Sequence, residues 1–203
     1  MSLPIISFVV LIISIILHEV SHGYMAEYLG DPTARLLGRL TLNPIPHIDS
    51  MGSIILPVLF VVSGSPVVFG WAKPVPYDAR NIRGSAFKER YGGALVAAAG
   101  PMVNILLAVV FGLLIRFGLL DILFTQFALV VVVINVSLAV FNLIPIPPLD
   151  GYHILASILP VNVRRMYESL YQYSFILMFV VAFVLWQFIS PLVFVITNMI
   201  TGF

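Results

Sequence analysis

Long apolar runs divide this chain. Residues 3–29, 92–119, 125–144 and 171–200 are nearly continuous in hydrophobic side chains. Each reaches the roughly 20 residues that a helix needs to cross about 30 Å of hydrocarbon. Pro191 lies inside the last run and is placed to kink it. A fifth run, 51–70, is interrupted by Gly52, Pro57, Gly64 and Pro66, and Pro57 divides its longest glycine-free piece. It is short for a span and reads as a re-entrant or interfacial segment. Residues 34–42 partly alternate polar and apolar side chains around Gly38 and run into Asn43-Pro44-Ile45-Pro46. That pattern predicts a short β-hairpin or extended piece. The pattern as a whole predicts an all-α polytopic membrane protein, one domain over residues 1–203. It has about four transmembrane helices, a re-entrant or short fifth hydrophobic segment and a small β-hairpin.

Composition places the solvent. The chain is 61% hydrophobic and 9% charged, with a mean hydropathy of +1.09. A soluble domain has about 45–50% apolar and about 25% charged residues. A soluble fold of this size could not hide so much apolar surface, so the lipid bilayer is the expected partner. A net charge of +1 argues against a nucleic-acid partner. The absence of cysteine excludes disulfides, thiolate catalysis and cysteine-ligated metal. The N-terminus enters its apolar run without a basic segment or a small-residue cleavage site, and reads as a retained span rather than a signal peptide.

Charge then orients the chain. Lys73, Arg80, Arg83, Lys88 and Arg90 fall in one connection, Arg35 and Arg39 in another, and Arg164 and Arg165 in a third. If residues 51–70 re-enter, all three lie on one side, as the positive-inside rule prefers. Both termini are then expected outside. No internal repeat, linker or second domain is visible.

The candidate chemistry begins at His18-Glu19-Val20-Ser21-His22, an H-E-x-x-H pattern. Two histidines four apart on a helix project from one face and can ligate one Zn²⁺. Glu19, beside the first of them, is placed as the general base that takes a proton from the attacking water. By chance alone the pattern arises in roughly 1 of 200 chains of this size. Here it follows a continuous apolar run, where ionisable groups cost several kcal/mol unless partnered and are functional candidates.

A catalytic zinc site usually has three protein ligands. The other histidines are His47, which reads as a loop residue, and His153, which reads as a residue beside the ligands or at the surface rather than a ligand. Asp150 is the better third ligand. It closes Asn142-Leu143-Ile144-Pro145-Ile146-Pro147-Pro148-Leu149-Asp150-Gly151, where three prolines break the helix. Gly151 is expected to let the chain turn sharply after the carboxylate. The competing role for Asp150 is a helix N-cap for residues 151–159.

These residues together resemble the site-2 protease family of intramembrane zinc metalloproteases. The likeness rests on His18–His22, on Ala99-Gly100-Pro101-Met102-Val103-Asn104, and on the Asn142–Gly151 run, in the family's order and spacing. It extends over roughly residues 16–159 and fits the compact branch without a PDZ or CBS domain. Tyr152-His153 departs from the small residue followed by arginine found in many relatives. The resemblance implies hydrolysis of peptide bonds in transmembrane or membrane-adjacent segments of a membrane-protein substrate. It implies one Zn²⁺ on His18, His22 and Asp150, with Glu19 as base and Asn142 holding the substrate backbone. Asn104 and the hairpin at 36–43 are further substrate-side candidates, against a helix-packing amide and a structural edge. The expected location is the plasma membrane of a prokaryote, with the site near the cytosolic face. Three readings compete: a metal or proton transporter using the His/Glu/Asp cluster, a non-catalytic zinc-binding scaffold, and another intramembrane hydrolase. The last is poorly supported, since no Gly-x-Ser-x-Gly occurs.

Overall fold

A computed structural model describes residues 3–63 and 70–203. Three helices in it are long and apolar enough to cross a membrane: α1 (Leu3–Leu29), α4 (Ala86–Arg116) and α5 (Ile122–Asn142). The shorter elements are α2 (Thr33–Leu36), α3 (Leu56–Val62), α6 (Asp150–Ile158), α7 (Val161–Glu168), α8 (Ser174–Val180) and α9 (Trp186–Thr201). No strand occurs among the described residues.

Local chemistry sets the ends of the long helices. Ser85 Oγ accepts the Lys88 N–H at the start of α4, and Asp121 Oδ1 accepts the Phe124 N–H at the start of α5. Both are ordinary N-caps. Between them Gly118 takes φ +61°, a left-handed conformation that a side chain resists. The Leu119 N–H then bonds back to Leu114 O and the Gly118 N–H to Ile115 O. This Schellman turn folds α5 back along α4.

The core lies where α4 packs on α1, α5, α6 and α9. Ala108, Ile115, Ala128, Val132, Val136 and Val193 form its apolar centre. Outward-facing side chains are also apolar, as Phe8 on α1, Met102 on α4 and Phe194 on α9 show. Such a surface suits hydrocarbon.

Two expectations change. The predicted hairpin is absent. Thr33–Leu36 form one helical turn, and the N–H groups of Leu37, Gly38 and Arg39 bond back to Thr33, Arg35 and Ala34. Gly38, at φ +64°, closes this second Schellman turn. Polar groups consumed locally are not available for a ladder, which is why the alternation does not become a strand. The run at 171–200 is not one regular helix either. A 3₁₀ turn (Ser169–Tyr173) and a π turn (Val181–Leu185) separate α7, α8 and α9.

Residues 64–69 of the 51–70 segment lie outside the described residues. Its two ends meet: the Trp71 N–H donates to Gly52 O at 3.2 Å, and Ser53 Oγ donates to Trp71 O at 2.8 Å. Between them the chain forms a π turn (Ser50–Ile55) and α3.

Candidate metal centre

α1 carries His18 and His22 one turn apart, so both imidazoles leave the same face. That face meets the middle of α4 at Gly100, where no side chain intervenes. A Cβ on Gly100 would lie 2.5 Å from His22 Nε2 and 2.6 Å from His18 Nε2. Glycine at this position is therefore required by a close approach.

Asp150 arrives from the other end of the sequence. It is the first residue of α6, after the proline-broken stretch that follows α5. Its Oδ2 is 3.1 Å from His18 Nε2 and its Oδ1 is 3.4 Å from His22 Nε2. The N-cap position of α6 is Leu149, so Asp150 is not the cap of its helix, and its carboxylate faces the histidines. Gly151 permits this by proximity rather than by a sharp turn. A Cβ there would lie 2.3 Å from Leu143 O and 2.5 Å from Ile144 O, so α6 starts hard against the end of α5.

The imidazoles are fixed from behind. His22 Nδ1 is 2.7 Å from Val96 O, and His18 Nδ1 is 2.6 Å from Asn104 Oδ1. A carbonyl only accepts, so each Nδ1 carries the proton. Each Nε2 lone pair then faces the Asp150 carboxylate, whose Oδ2 is buried without a hydrogen-bond partner. Lone pairs facing an anion repel unless a cation stands between them. The three ligand atoms lie within 4.8 Å of one another. Two neutral imidazoles and a carboxylate are a donor set that fits zinc, and the second-atom hydrogen bonds are those expected of zinc-ligating histidines.

Glu19 lies beside this cluster. Its Oε2 accepts the Val75 N–H at 2.9 Å. Residues 70–78, which form neither helix nor turn, therefore pass across the general-base candidate. Arg39 holds that stretch in place through Nη2, which donates to Lys73 O at 3.0 Å and Pro74 O at 3.1 Å.

A cavity of about 280 Å³ opens at the cluster, lined by His18, Glu19, His22, Tyr77, Asn142, Asp150 and His153 among others. Burial pushes the Tyr77 hydroxyl up, and the Asp150 and Tyr171 charges add to it, so it stays protonated. Burial likewise holds His153 below its usual range and neutral, more than offsetting the Asp150 charge. A larger cavity of about 520 Å³ shares His18, Glu19 and Asn142, and is otherwise mostly apolar, with Ile15, Trp71, Phe141, Phe175 and Met178.

The structure thus brings His18, Glu19, His22, Asp150 and Asn142 to one place. Asn104 is placed differently. It is fully buried behind His18. His47 is also buried, away from the cluster, with Nε2 3.0 Å from Thr41 O. Sequence reasoning did not single out Val75, Tyr77, Ser14 or Asn135. Of these, Asn135 carried a usable signal, an amide in the middle of an apolar span.

Comparison with known proteins places the chain in a family. The model of peptidase family M50 matches residues 118–186. A protein of Bacillus subtilis (strain 168) named "Putative zinc metalloprotease YwhC" is 38% identical over 201 residues, covering 90% of this chain and 84% of that protein. The "Putative zinc metalloprotease Rip2" of Mycolicibacterium smegmatis is 30% identical over 171 residues, covering 83% of this chain and 63% of that protein. Its namesake from Mycobacterium tuberculosis (strain H37Rv) is 29% identical over the same span. No solved structure matches.

The chain belongs to peptidase family M50, the site-2 protease family. It is a metalloprotease, which sets aside the transporter and scaffold readings.

Proposed function

We propose that this protein is an intramembrane zinc metalloprotease that hydrolyses peptide bonds in transmembrane or membrane-adjacent segments of other membrane proteins. The observation that carries this is the convergence of His18 Nε2, His22 Nε2 and the Asp150 carboxylate beside Glu19, inside a bundle of apolar helices. His18 lies eleven residues before the end of α1, about 16 Å along the helix axis.

His18, His22 and Asp150 hold the zinc. When bound, zinc polarises the scissile carbonyl and makes water acidic enough to be used at neutral pH. Glu19 takes a proton from the attacking water onto a carboxylate oxygen and returns it to the leaving amine nitrogen. Asn142 lines both cavities, and its Nδ2 bonds back to Leu138 O, so its amide is held ready for the substrate backbone.

The larger apolar cavity receives the substrate segment, which must unwind because helical hydrogen bonds shield its carbonyls. Residues 70–78 provide the edge for the unwound strand. The N–H groups of Trp71, Lys73 and Val75 are tied to the body of the enzyme. Ala72, between them, lines the larger cavity and is placed for strand addition.

Four crossings, with α8 and α9 completing the fourth, and a re-entrant loop at 51–70 put nine of the ten Lys and Arg residues at the end that holds the site; Arg116 is at the other end of α4. The positive-inside rule makes that end cytosolic, in the plasma membrane of a prokaryotic cell. The test is Glu19→Gln purified into liposomes with a labelled transmembrane substrate. Zinc should stay bound and cleavage should vanish. Cleavage at the wild-type rate would refute the assignment.

A further inference from the structure

Behind His18 lies a buried chain of polar side chains crossing three spans. Ser14 on α1, Asn104 on α4 and Asn135 on α5 are 3%, 0% and 0% exposed. None is needed to hold a metal directly, and none lines the cavity that His18 faces. Buried amides in a membrane protein are costly unless bonded, and as helix-to-helix glue each bond contributes only about 0.6 kcal/mol. Their connectivity points to a further role.

The orientation of each amide follows from an unambiguous acceptor. Asn135 Nδ2 donates to the Val131 backbone carbonyl at 2.9 Å and to Ser14 Oγ at 2.9 Å. A backbone carbonyl cannot donate, so the nitrogen of Asn135 faces it and Oδ1 faces away. That Oδ1 accepts Asn104 Nδ2 at 2.8 Å. Asn104 Nδ2 also approaches the Ser14 carbonyl at 3.5 Å. Asn104 Oδ1 is thereby turned to His18 Nδ1 at 2.6 Å. An acceptor there keeps the proton on Nδ1 and the lone pair on Nε2, the atom that faces Asp150.

We propose that Ser14, Asn135 and Asn104 form a positioning relay that fixes the tautomer and ring direction of His18, so that Nε2 is presented to the metal. Asn104 acts through His18, and Asn135 acts through Asn104. The relay rests on the metal site proposed above. It gives Asn104 a role other than the substrate contact implied by the family resemblance. His22 needs no such relay, because Val96 O is a backbone acceptor that cannot flip.

The test is zinc affinity by chelator competition in purified, folded protein, with the optical spectrum of the cobalt-substituted protein as a second readout. Asn104→Leu removes the acceptor and should weaken zinc binding about 10- to 100-fold. Asn104→Asp keeps an acceptor before Nδ1 and should bind zinc within about threefold of wild type. Asn135→Leu leaves Asn104 free to flip and should fall between them, with an altered cobalt spectrum. A role in helix packing alone predicts the reverse order, since a buried carboxylate disturbs a membrane bundle more than leucine does. Should either leucine variant fail to fold, the milder Ser14→Ala still tests the relay, and its cobalt spectrum should shift. Zinc affinities in Asn104→Leu and Asn135→Leu equal to wild type, or a Ser14→Ala spectrum identical to wild type when those variants do not fold, would overturn the relay and leave the metal site standing. Wild-type protein that binds no zinc would overturn both.

Discussion

The inner faces of α1, α4 and α5 differ from the outer elements in how they treat polar groups. Inside, every polar side chain behind the site has a named partner: His18 with Asn104, Asn104 with Asn135, Asn135 with Ser14, and His22 with Val96. Outside, α3, α8 and α9 expose apolar side chains, as Leu59, Phe175 and Phe194 show. The charged pair Arg164–Glu168 of α7 is half open to solvent. Buried polar groups lose their full hydrogen-bond value when a partner is removed, whereas exposed ion pairs contribute little. The inner region should therefore respond to single-atom changes that the outer region ignores.

Substitutions can break this comparison in descending order. Gly100→Ala should be the most damaging to function. Its new methyl would sit in the space that both Nε2 atoms face, and zinc affinity should fall on the order of 100-fold or more, measured by chelator competition. Next is Asp31, fully buried where the chain leaves α1. It accepts the Asp78 N–H at 2.6 Å, the Asn81 side-chain amide at 2.8 Å and the Thr33 N–H at 3.1 Å. Asp31→Ala would strand these donors and should destabilise the protein by about 2–4 kcal/mol, read as a drop in Tm.

The same carboxylate gives a pH dependence. Burial opposes its charge, but hydrogen bonds from Thr33, Asn81 and Asp78 hold its pKa below the ordinary value. Because the native value is the lower one, its stabilising contribution is full above about pH 4. It disappears as the pH falls through the native value. The Tm of wild type should drop in that acid range, and Asp31→Ala should show a smaller drop.

Arg39→Ala should matter less. It removes two hydrogen bonds to the stretch that holds Glu19, costing about 1–2 kcal/mol. Cleavage should change severalfold while zinc affinity stays unchanged. Arg164→Ala, in the outer region, should shift stability by no more than about 0.5 kcal/mol.

The legible parts of this fold are those where chemistry and spacing coincide. His18, Glu19 and His22 follow from helical spacing in an apolar run. Asp150 follows from the broken backbone that carries it. α1 ends where the sequence run ends. The hairpin was misread because alternation around Gly38 resembles a strand, while the backbone groups that decide the matter bond within one turn. The last apolar run has the length of a span, but uniform apolarity carries no mark of where a π turn interrupts it. Gly100 sits in the sequence motif, yet its purpose emerges only when α1 and α4 are seen in contact. Asn135 was overlooked because its partners are 31 and 121 residues away.

The most direct measurement is the metal content of purified wild type, His22→Ala and Asp150→Ala, each confirmed folded. The account predicts one zinc per chain in wild type and loss of stoichiometric zinc in both variants. Full zinc retention in either variant would contradict a site shared between α1 and the start of α6.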